Sequence, residues 1–187
     1  VLAVKPQLIR DIAADYRDLS GGGTTFLSIA AGTTVATLAD VLGAETPIVR
    51  CMPNTPAAIG KGMMVTYAGP NVPSQSLEFI HRLLGVSGAV TSVSDEGLMD
   101  AVTAVSGSGP AYVFHFIEAL TTAGEAAGLS RDAATLLARQ TVFGAAALAH
   151  ESGEDASRLR EQVTSPNGTT AAALAVLMGD DRLTRLV

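Results

Sequence analysis

A change of texture near Ser94 constrains this chain more than any other feature. Ahead of it, short apolar runs alternate with helical stretches. Residues 1–4, 25–30, 47–52 and 63–68 read as strands; 7–19, 31–42 and 74–84 read as helices, the second opened by the turn Ala31-Gly32-Thr33-Thr34. Strands separated by helices of about ten residues predict a parallel sheet with helical crossovers. A run such as Phe26-Leu27-Ser28-Ile29-Ala30, apolar without alternation, predicts a sheet covered on both faces. Beyond Ser94 the pattern is helical throughout, over 98–105, 111–127, a stretch capped by Ser130 that runs to about His150, 156–163 and 169–178. Gly128, Gly153 and the Pro166-Asn167-Gly168 turn punctuate these helices, as helix ends require. The expectation is an α/β domain over 1–93 followed by an all-helical domain over 94–187.

The helix at 111–127 has polar residues only at Tyr112, His115, Glu118, Thr121, Thr122 and Glu125. A helix apolar over most of its circumference must be covered on several sides. Fewer than 100 residues of helix do not supply that cover by themselves, so a second chain is expected on it. Small residues inside the helices, among them Gly124 and Gly144, would let backbones approach closely. The chain has 187 residues, 48 % hydrophobic and 16 % charged, with mean hydropathy +0.34. That is too apolar for a disordered chain, yet no apolar run reaches the ~18 residues of a membrane span. Eighteen acidic against 12 basic residues leave a net charge of −6, and aromatics are only 4 %. Neither a basic surface nor a stacking platform for nucleic acid is available. Cys51 is the single cysteine, which suits a reducing, cytoplasmic setting.

In open α/β sheets, ligands bind beyond the carboxyl ends of the strands. Three loops fall there: Val4-Lys5-Pro6-Gln7, Ala30-Ala31-Gly32-Thr33 and Met52-Pro53-Asn54-Thr55-Pro56. Gly32 permits close backbone approach, and the two prolines are expected to hold Asn54 and Thr55 extended. A fourth segment, Val163-Thr164-Ser165-Pro166-Asn167-Gly168-Thr169-Thr170, leads straight into a helix. Free N–H groups and the helix dipole favour an anion such as a small carboxylate there, with the Thr169 and Thr170 hydroxyls beside it. Any one of these features also suits an ordinary turn or cap. Ser106-Gly107-Ser108-Gly109-Pro110 lacks the spacing of a dinucleotide loop and follows a helix, so it is not read as a cofactor fingerprint.

His81, His115 and His150 have no metal-ligand spacing and read as structural or surface residues. Cys51, in an apolar strand, reads as a small core residue. No nucleophile motif or acid–base pair stands out. Such a site suits a reaction whose chemistry belongs to a bound cofactor, as in hydride transfer.

Five segments occur in an order that resembles the pyrroline-5-carboxylate reductases: Ala3-Val4-Lys5-Pro6-Gln7, Ser28-Ile29-Ala30-Ala31-Gly32, Arg50-Cys51-Met52-Pro53-Asn54-Thr55-Pro56-Ala57, Ala104-Val105-Ser106-Gly107-Ser108-Gly109-Pro110-Ala111-Tyr112 and 163–170. The resemblance spans essentially the whole chain. It implies a Rossmann-type α/β domain whose N-terminal part is missing, then an all-α dimerisation domain. The chain's start in an apolar strand and its stop at Leu186-Val187 in mid-helix fit an interior piece of a longer polypeptide, with the glycine-rich dinucleotide loop upstream. The implied activity is reduction of 1-pyrroline-5-carboxylate to L-proline, the last step of proline biosynthesis, with NADPH or NADH. The implied partner is a second copy joined through the helical domain, with neither nucleic acid nor membrane involved.

Position by position, the resemblance implies that Ala3, Val4, Lys5, Pro6, Ala30, Ala31, Gly32 and Asn54 line the cofactor. Glu151, Val163, Ser165, Gly168, Thr169 and Thr170 would hold the substrate, the carboxylate on backbone N–H groups of 168–170, with the Thr170 hydroxyl facing the ring nitrogen as the catalytic group. Asn167 stands where the family commonly has glycine, and it is expected to take left-handed geometry. A longer 152–157 segment makes Glu151 the looser match. Two other readings compete. One is a non-catalytic oligomerisation fragment of such an enzyme. The other is a dehydrogenase of the 3-hydroxyacid type, whose acid–base lysine on a late helix has no counterpart, since no Lys follows Lys61.

Overall fold

A computed structural model describes residues 1–186; Val187, and with it the last position of the expected terminal helix, lies outside the described residues. The chain divides into two compact units, Val1–His115 and Phe116 onward.

The first unit opens with a single parallel bridge, Leu2 to Ser28, rather than the full strand expected over 1–4. Leu2 N–H donates to the Leu27 carbonyl at 2.7 Å, and Leu2's carbonyl accepts from Ile29 at 3.1 Å. Helix α1 (Ile9–Ala14) follows a 3-10 turn at Pro6–Leu8. A second 3-10 turn, Arg17–Gly22, ends the helical stretch. The continuous helix expected over 7–19 is therefore broken. It buries only Ile9 and Ala13, and the left-handed Gly23 closes it. Strand β1 (Phe26–Ser28), helix α2 (Val35–Leu42), strand β2 (Ile48–Met52), strand β3 (Gly62–Ala68), helix α3 (Ser74–Gly85) and strand β4 (Gly88–Ser92) complete a four-stranded sheet in the order β1-β2-β3-β4.

β1 pairs parallel with β2, and β3 parallel with β4, across the crossovers α2 and α3. β2 and β3 pair antiparallel, which corrects the expectation of a wholly parallel sheet. Residues 53–61 between them hold only a 3-10 turn, Thr55–Ile59. A parallel return needs a crossover of a dozen or more residues. β4 was not read from the sequence: Gly88-Ala89-Val90-Thr91-Ser92 is half-buried at most, because it is the edge of the sheet.

Alternate residues of the central strands feed two cores. Phe26 and Ile48 join Leu2, Ile9, Ala13, Leu38 and Leu42 on the α1/α2 side. Leu27, Val49, Cys51 and Met64 join Ile80 of α3 on the other. This two-sided burial is why β1 and β2 carry apolar residues without alternation.

After β4 the segment expected as one helix over 98–105 is three short pieces: a 3-10 turn at Glu96–Leu98, helix α4 (Met99–Val102) and a π-helical turn at Thr103–Gly107. Helix α5 (Gly109–Ala126) begins in the first unit and ends in the second. Within the second unit, helix α6 (Arg131–Ser152) is capped by Ser130, whose hydroxyl accepts from Ala133 N–H, and is stopped by the left-handed Gly153. α5 and α6 meet where Gly124 faces Ala134: a Cβ on Gly124 would lie 3.0 Å from that of Ala134. Thr121, Ala134 and Ala138 are the buried residues of this hairpin. Helices α7 (Ala156–Gln162), α8 (Thr169–Met178) and α9 (Arg182–Leu186) follow. The apolar surface expected on α5 is open in the single chain, with Tyr112, Val113, Phe114 and Phe116 exposed, and α6 adds Leu136, Leu137 and Phe143.

Candidate functional site

The strand order brings three of the expected loops to one edge of the sheet. Leu2, β1 and β2 run parallel, so the chain leaves all three at the same end. Residues 3–6, 29–34 and 53–54 are therefore neighbours although about 50 positions separate the first from the last. Ala3, Lys5 and Pro6 are exposed there, and Val4 is half-buried against the α1/α2 core. Ala30 is buried and Ala31 and Gly32 are exposed. Gly32 is left-handed at φ +70, with no atom within 4 Å of where a Cβ would stand. The Thr33 N–H turns back to the Ala30 carbonyl at 3.4 Å. The Ala31 and Gly32 N–H groups have no acceptor among the described residues. An exposed loop with open backbone donors and no side chain at its apex leaves room for close approach to its backbone.

Two N–H groups at the start of α2, directly after this loop, are taken up by the protein itself. The Thr34 hydroxyl accepts from Thr37 N–H at 3.1 Å. The Val35 N–H donates to Oε1 of Glu96 at 2.7 Å, and Arg50 Nη1 donates to the same oxygen at 2.6 Å. The Arg50 side chain is 7 % exposed and that of Glu96 24 %. A buried arginine requires such a partner. Arg50 was visible in the sequence only as a charge inside an apolar strand, Ile48-Val49-Arg50-Cys51-Met52. Its partner lies 46 positions away.

Asn54 is extended, as expected, at φ −130 and ψ 166; Thr55 is not, being the first residue of the 3-10 turn. Both ends of the Asn54 amide are engaged within the protein. Its Oδ1 accepts from Met63 N–H at 2.8 Å, and its Nδ2 donates to the Ser106 carbonyl at 3.1 Å. Asn54 thus ties the end of β2 to the start of β3 and to the π-helical turn. The Ser106 hydroxyl is buried with no hydrogen-bond partner among the described residues. Ser106-Gly107-Ser108-Gly109-Pro110 lacks the spacing of a dinucleotide loop. The structure nevertheless seats it at this edge, Gly107 packing against the Met52 side chain so closely that a Cβ would clash. π-turns are rare and recur at functional sites.

In the second unit the 163–170 segment is a helix start of the expected kind. Val163 ends α7 and is exposed. The Thr164 hydroxyl donates to the Arg160 carbonyl at 2.6 Å. Asn167 is left-handed at φ 60, as expected of asparagine in a glycine position. Gly168 is the N-cap of α8 and no side chain caps it. The Gly168 N–H donates to the Ser165 carbonyl at 3.1 Å, so this amide, expected on the carboxylate, is used within the turn. The N–H groups of Thr169, Thr170 and Ala171 have no acceptor among the described residues, the first intrahelical bond from outside being Ala172 to Gly168. Ser165, Thr169 and Thr170 are exposed. Open amides with the dipole behind them are what a carboxylate needs. Glu151 is exposed in the last turn of α6.

Two residues set aside from the chemistry have structural surroundings. Cys51 is 3 % exposed, and burial pushes its thiol pKa up to about 12, which keeps it protonated and inert. His81 Nε2 lies 2.9 Å from the fully buried Thr66 hydroxyl, which in turn lies 2.8 Å from that of Ser92.

A sheet covered on both faces, with ligand-accessible loops at one strand edge and an all-helical segment after it, defines a Rossmann-type α/β protein joined to a helical domain. Comparison with known proteins narrows this. Residues 96–186 match the family described as pyrroline-5-carboxylate reductase dimerisation. A pyrroline-5-carboxylate reductase of Pseudomonas aeruginosa is 45 % identical over 174 residues, covering 93 % of this chain and 64 % of that protein. The solved pyrroline-5-carboxylate reductase of Coxiella burnetii superposes with TM-score 0.92 at 38 % identity, over 99 % of this chain and 68 % of its own. The pyrroline carboxylate reductase of Plasmodium falciparum, solved with NADP bound, gives TM-score 0.87 at 31 % identity, over 98 % and 73 %. The chain belongs to the pyrroline-5-carboxylate reductase family. It spans a little under two thirds of the length of the Pseudomonas relative.

Proposed function

We propose that this chain is the larger part of a reductase that converts 1-pyrroline-5-carboxylate to L-proline, the closing step of proline biosynthesis, in the cytoplasm. Residues 1–93 form the C-terminal part of its dinucleotide-binding domain, and 94–187 the helical domain that dimerises and holds the substrate. The single observation that carries this reading is the start of α8. There the Thr169, Thr170 and Ala171 amides stand open behind a left-handed Asn167, in a member of this family.

Ala3, Val4, Lys5, Pro6, Ala30, Ala31 and Gly32 hold a nicotinamide dinucleotide, NADPH or NADH; the NADP in the Plasmodium relative supports the choice. The open backbone at Ala31 and Gly32 fits it. When bound, the reduced nicotinamide supplies a hydride to the imine carbon. The chain's own residues do the rest. The open amides of α8 take the ring carboxylate and fix the ring's orientation, and Ser165, Val163 and Glu151 bound it. Asn54 holds the end of β2 and the Ser106 turn in place beside the nicotinamide. The Thr170 hydroxyl would hydrogen-bond the ring nitrogen and pass it one proton, replaced from solvent, so that hydride on carbon and proton on nitrogen together convert C=N to the amine. Most of the rate gain comes from alignment. The exposed apolar residues of α5 and α6 are covered by the same helices of a second copy, since a lone chain rarely leaves so much apolar surface in water.

The test uses a protein of the relatives' full length carrying this sequence. It should oxidise NADPH in the presence of pyrroline-5-carboxylate. Thr170→Val should lower kcat by about tenfold or more, as loss of a proton-handling group does, and leave the dinucleotide Kd unchanged. Unchanged kcat removes Thr170 from the mechanism, and no turnover by the parent protein removes the reductase reading. Leu136→Glu with Phe143→Glu should convert a dimer to monomers in sedimentation; an intact dimer would place the interface elsewhere.

A further inference from the structure

The loop at 30–34 has to present its backbone in one conformation. Ala30 and Thr33 are buried, whereas Gly32 is conformationally permissive. Its far end is held locally by the Thr34 cap and also from a distance. Val35, the first residue of α2, is pinned through its N–H to Glu96 at 2.7 Å. Glu96 is pinned by Arg50 at 2.6 Å. Arg50 is buried in the middle of β2, paired in register with Ser28 of β1 and Tyr67 of β3. A strand paired on both sides therefore holds the end of the loop through two charge-assisted hydrogen bonds that converge on one oxygen atom. Such bonds are shorter and stronger than neutral ones.

The same arrangement takes up donors that a ligand could otherwise use. Helix starts often bind phosphate through their first free N–H groups. Here the Val35 N–H is held by Glu96 and the Thr37 N–H by Thr34. The donors without an acceptor among the described residues are those of Ala31, Gly32, Thr34 and Ala36.

We propose that the Arg50–Glu96 pair is the positioning element of the dinucleotide loop: Glu96 sets the loop's register through the Val35 N–H, and Arg50 sets Glu96. This rests on the reading that residues 30–32 hold the dinucleotide. Glu96 Oε1 is taken by Arg50 and the Val35 N–H, so the pair acts through the backbone.

The test separates positioning from stability. Replacing a buried ion pair with uncharged residues of similar volume is often neutral for folding. Two double variants are therefore compared in a protein of the relatives' full length. Arg50→Met/Glu96→Gln keeps an oxygen for the Val35 N–H; Arg50→Met/Glu96→Leu removes it. The Leu variant should melt a few degrees below the Gln variant, the effect of the unpaired Val35 N–H, and both should be folded at the assay temperature. The Kd for NADPH, read by titration, should stay within about threefold of the parent in the Gln variant and rise about tenfold in the Leu variant, the effect of one lost hydrogen bond of this kind. The KM for the imino acid should be the same in both. Equal NADPH affinity in the two variants overturns the proposal. If the Leu variant does not fold, Glu96→Asp serves: its carboxylate keeps the charge but stops a methylene short of Val35, and an unchanged Kd overturns the proposal. A parent that binds NADPH without reducing the imino acid sinks the reductase reading and leaves this comparison decisive. A parent that binds no dinucleotide overturns both.

Discussion

Asn54→Ala is the substitution whose effect follows most directly from the geometry. Asn54 makes two hydrogen bonds that no other residue can supply, accepting from Met63 N–H at 2.8 Å and donating to the Ser106 carbonyl at 3.1 Å. Both are partly buried. Each bond contributes about 1 kcal/mol net, and a partly buried backbone group left without a partner costs about 1–3 kcal/mol. Partial rehydration of an alanine-sized gap brings the expected loss to about 2–4 kcal/mol, which for a chain of this size lowers Tm by roughly 10 °C. Asn54→Asp separates the two bonds. It keeps an oxygen for Met63 but turns a second, charged oxygen towards the Ser106 carbonyl, so it should be destabilising at neutral pH despite its shape. The assay is urea unfolding combined with native-state hydrogen exchange at the Met63 amide. That amide should lose protection in the alanine variant and retain it in the aspartate variant. A loss under about 1 kcal/mol for alanine, or an aspartate variant as stable as the parent, would refute the assignment of the Asn54 amide as a clip between β2, β3 and the π-turn.

Gly88→Ala should be among the most destabilising changes in the first unit: φ is +144, and a Cβ would fall within the Gly62 backbone to which β4 pairs. We expect a loss of at least about 3 kcal/mol in chemical denaturation; a loss within ordinary surface scatter would mean that β4 does not pair in this register. Asn167→Val should cost about 1–2 kcal/mol because a β-branched residue is forced left-handed, whereas Asn167→Gly should be close to neutral. Proline affinity measured by titration should fall in the first and persist in the second, and the reverse order would contradict the turn geometry. Cys51 should resist iodoacetamide at pH 8 until the protein unfolds. Its folded pKa, raised from 9.0 to about 12, means that the folded state binds the proton more tightly. The associated stability is therefore whole below pH 9.0 and drains away as the pH climbs towards about 12. Cys51→Ala should flatten that alkaline decline in a melting series, and an unchanged decline would show that other groups cause it.

Much of the local structure was legible in the chain because local physics decides it. Ser130 caps α6, Gly153 ends it, Thr34 caps α2, and Asn167 turns left-handed before α8. In each case one residue's own backbone preference or side-chain reach is enough. The 163–170 turn was readable for the same reason, since a helix start with no side-chain cap needs only its own sequence. Reading failed where local propensity was weak. The stretch 7–19 has helical composition but buries only two residues, and it breaks into pieces. Edge strand β4 carries too few buried side chains to leave a period in the sequence.

From the residues alone came the alternation of strands and helices, the two-sided burial of β1 and β2, the start of α8 and the surplus of apolar surface on α5. Each is set by neighbours within a turn or two of the chain. The tertiary structure alone decided that β3 runs against β2, that Arg50 meets Glu96, and that Asn54 reaches Ser106. The last two pairs lie 46 and 52 positions apart, and no periodicity encodes them. They form because a buried charge and a buried amide must find hydrogen-bonding partners wherever the packed strands and turns happen to bring them.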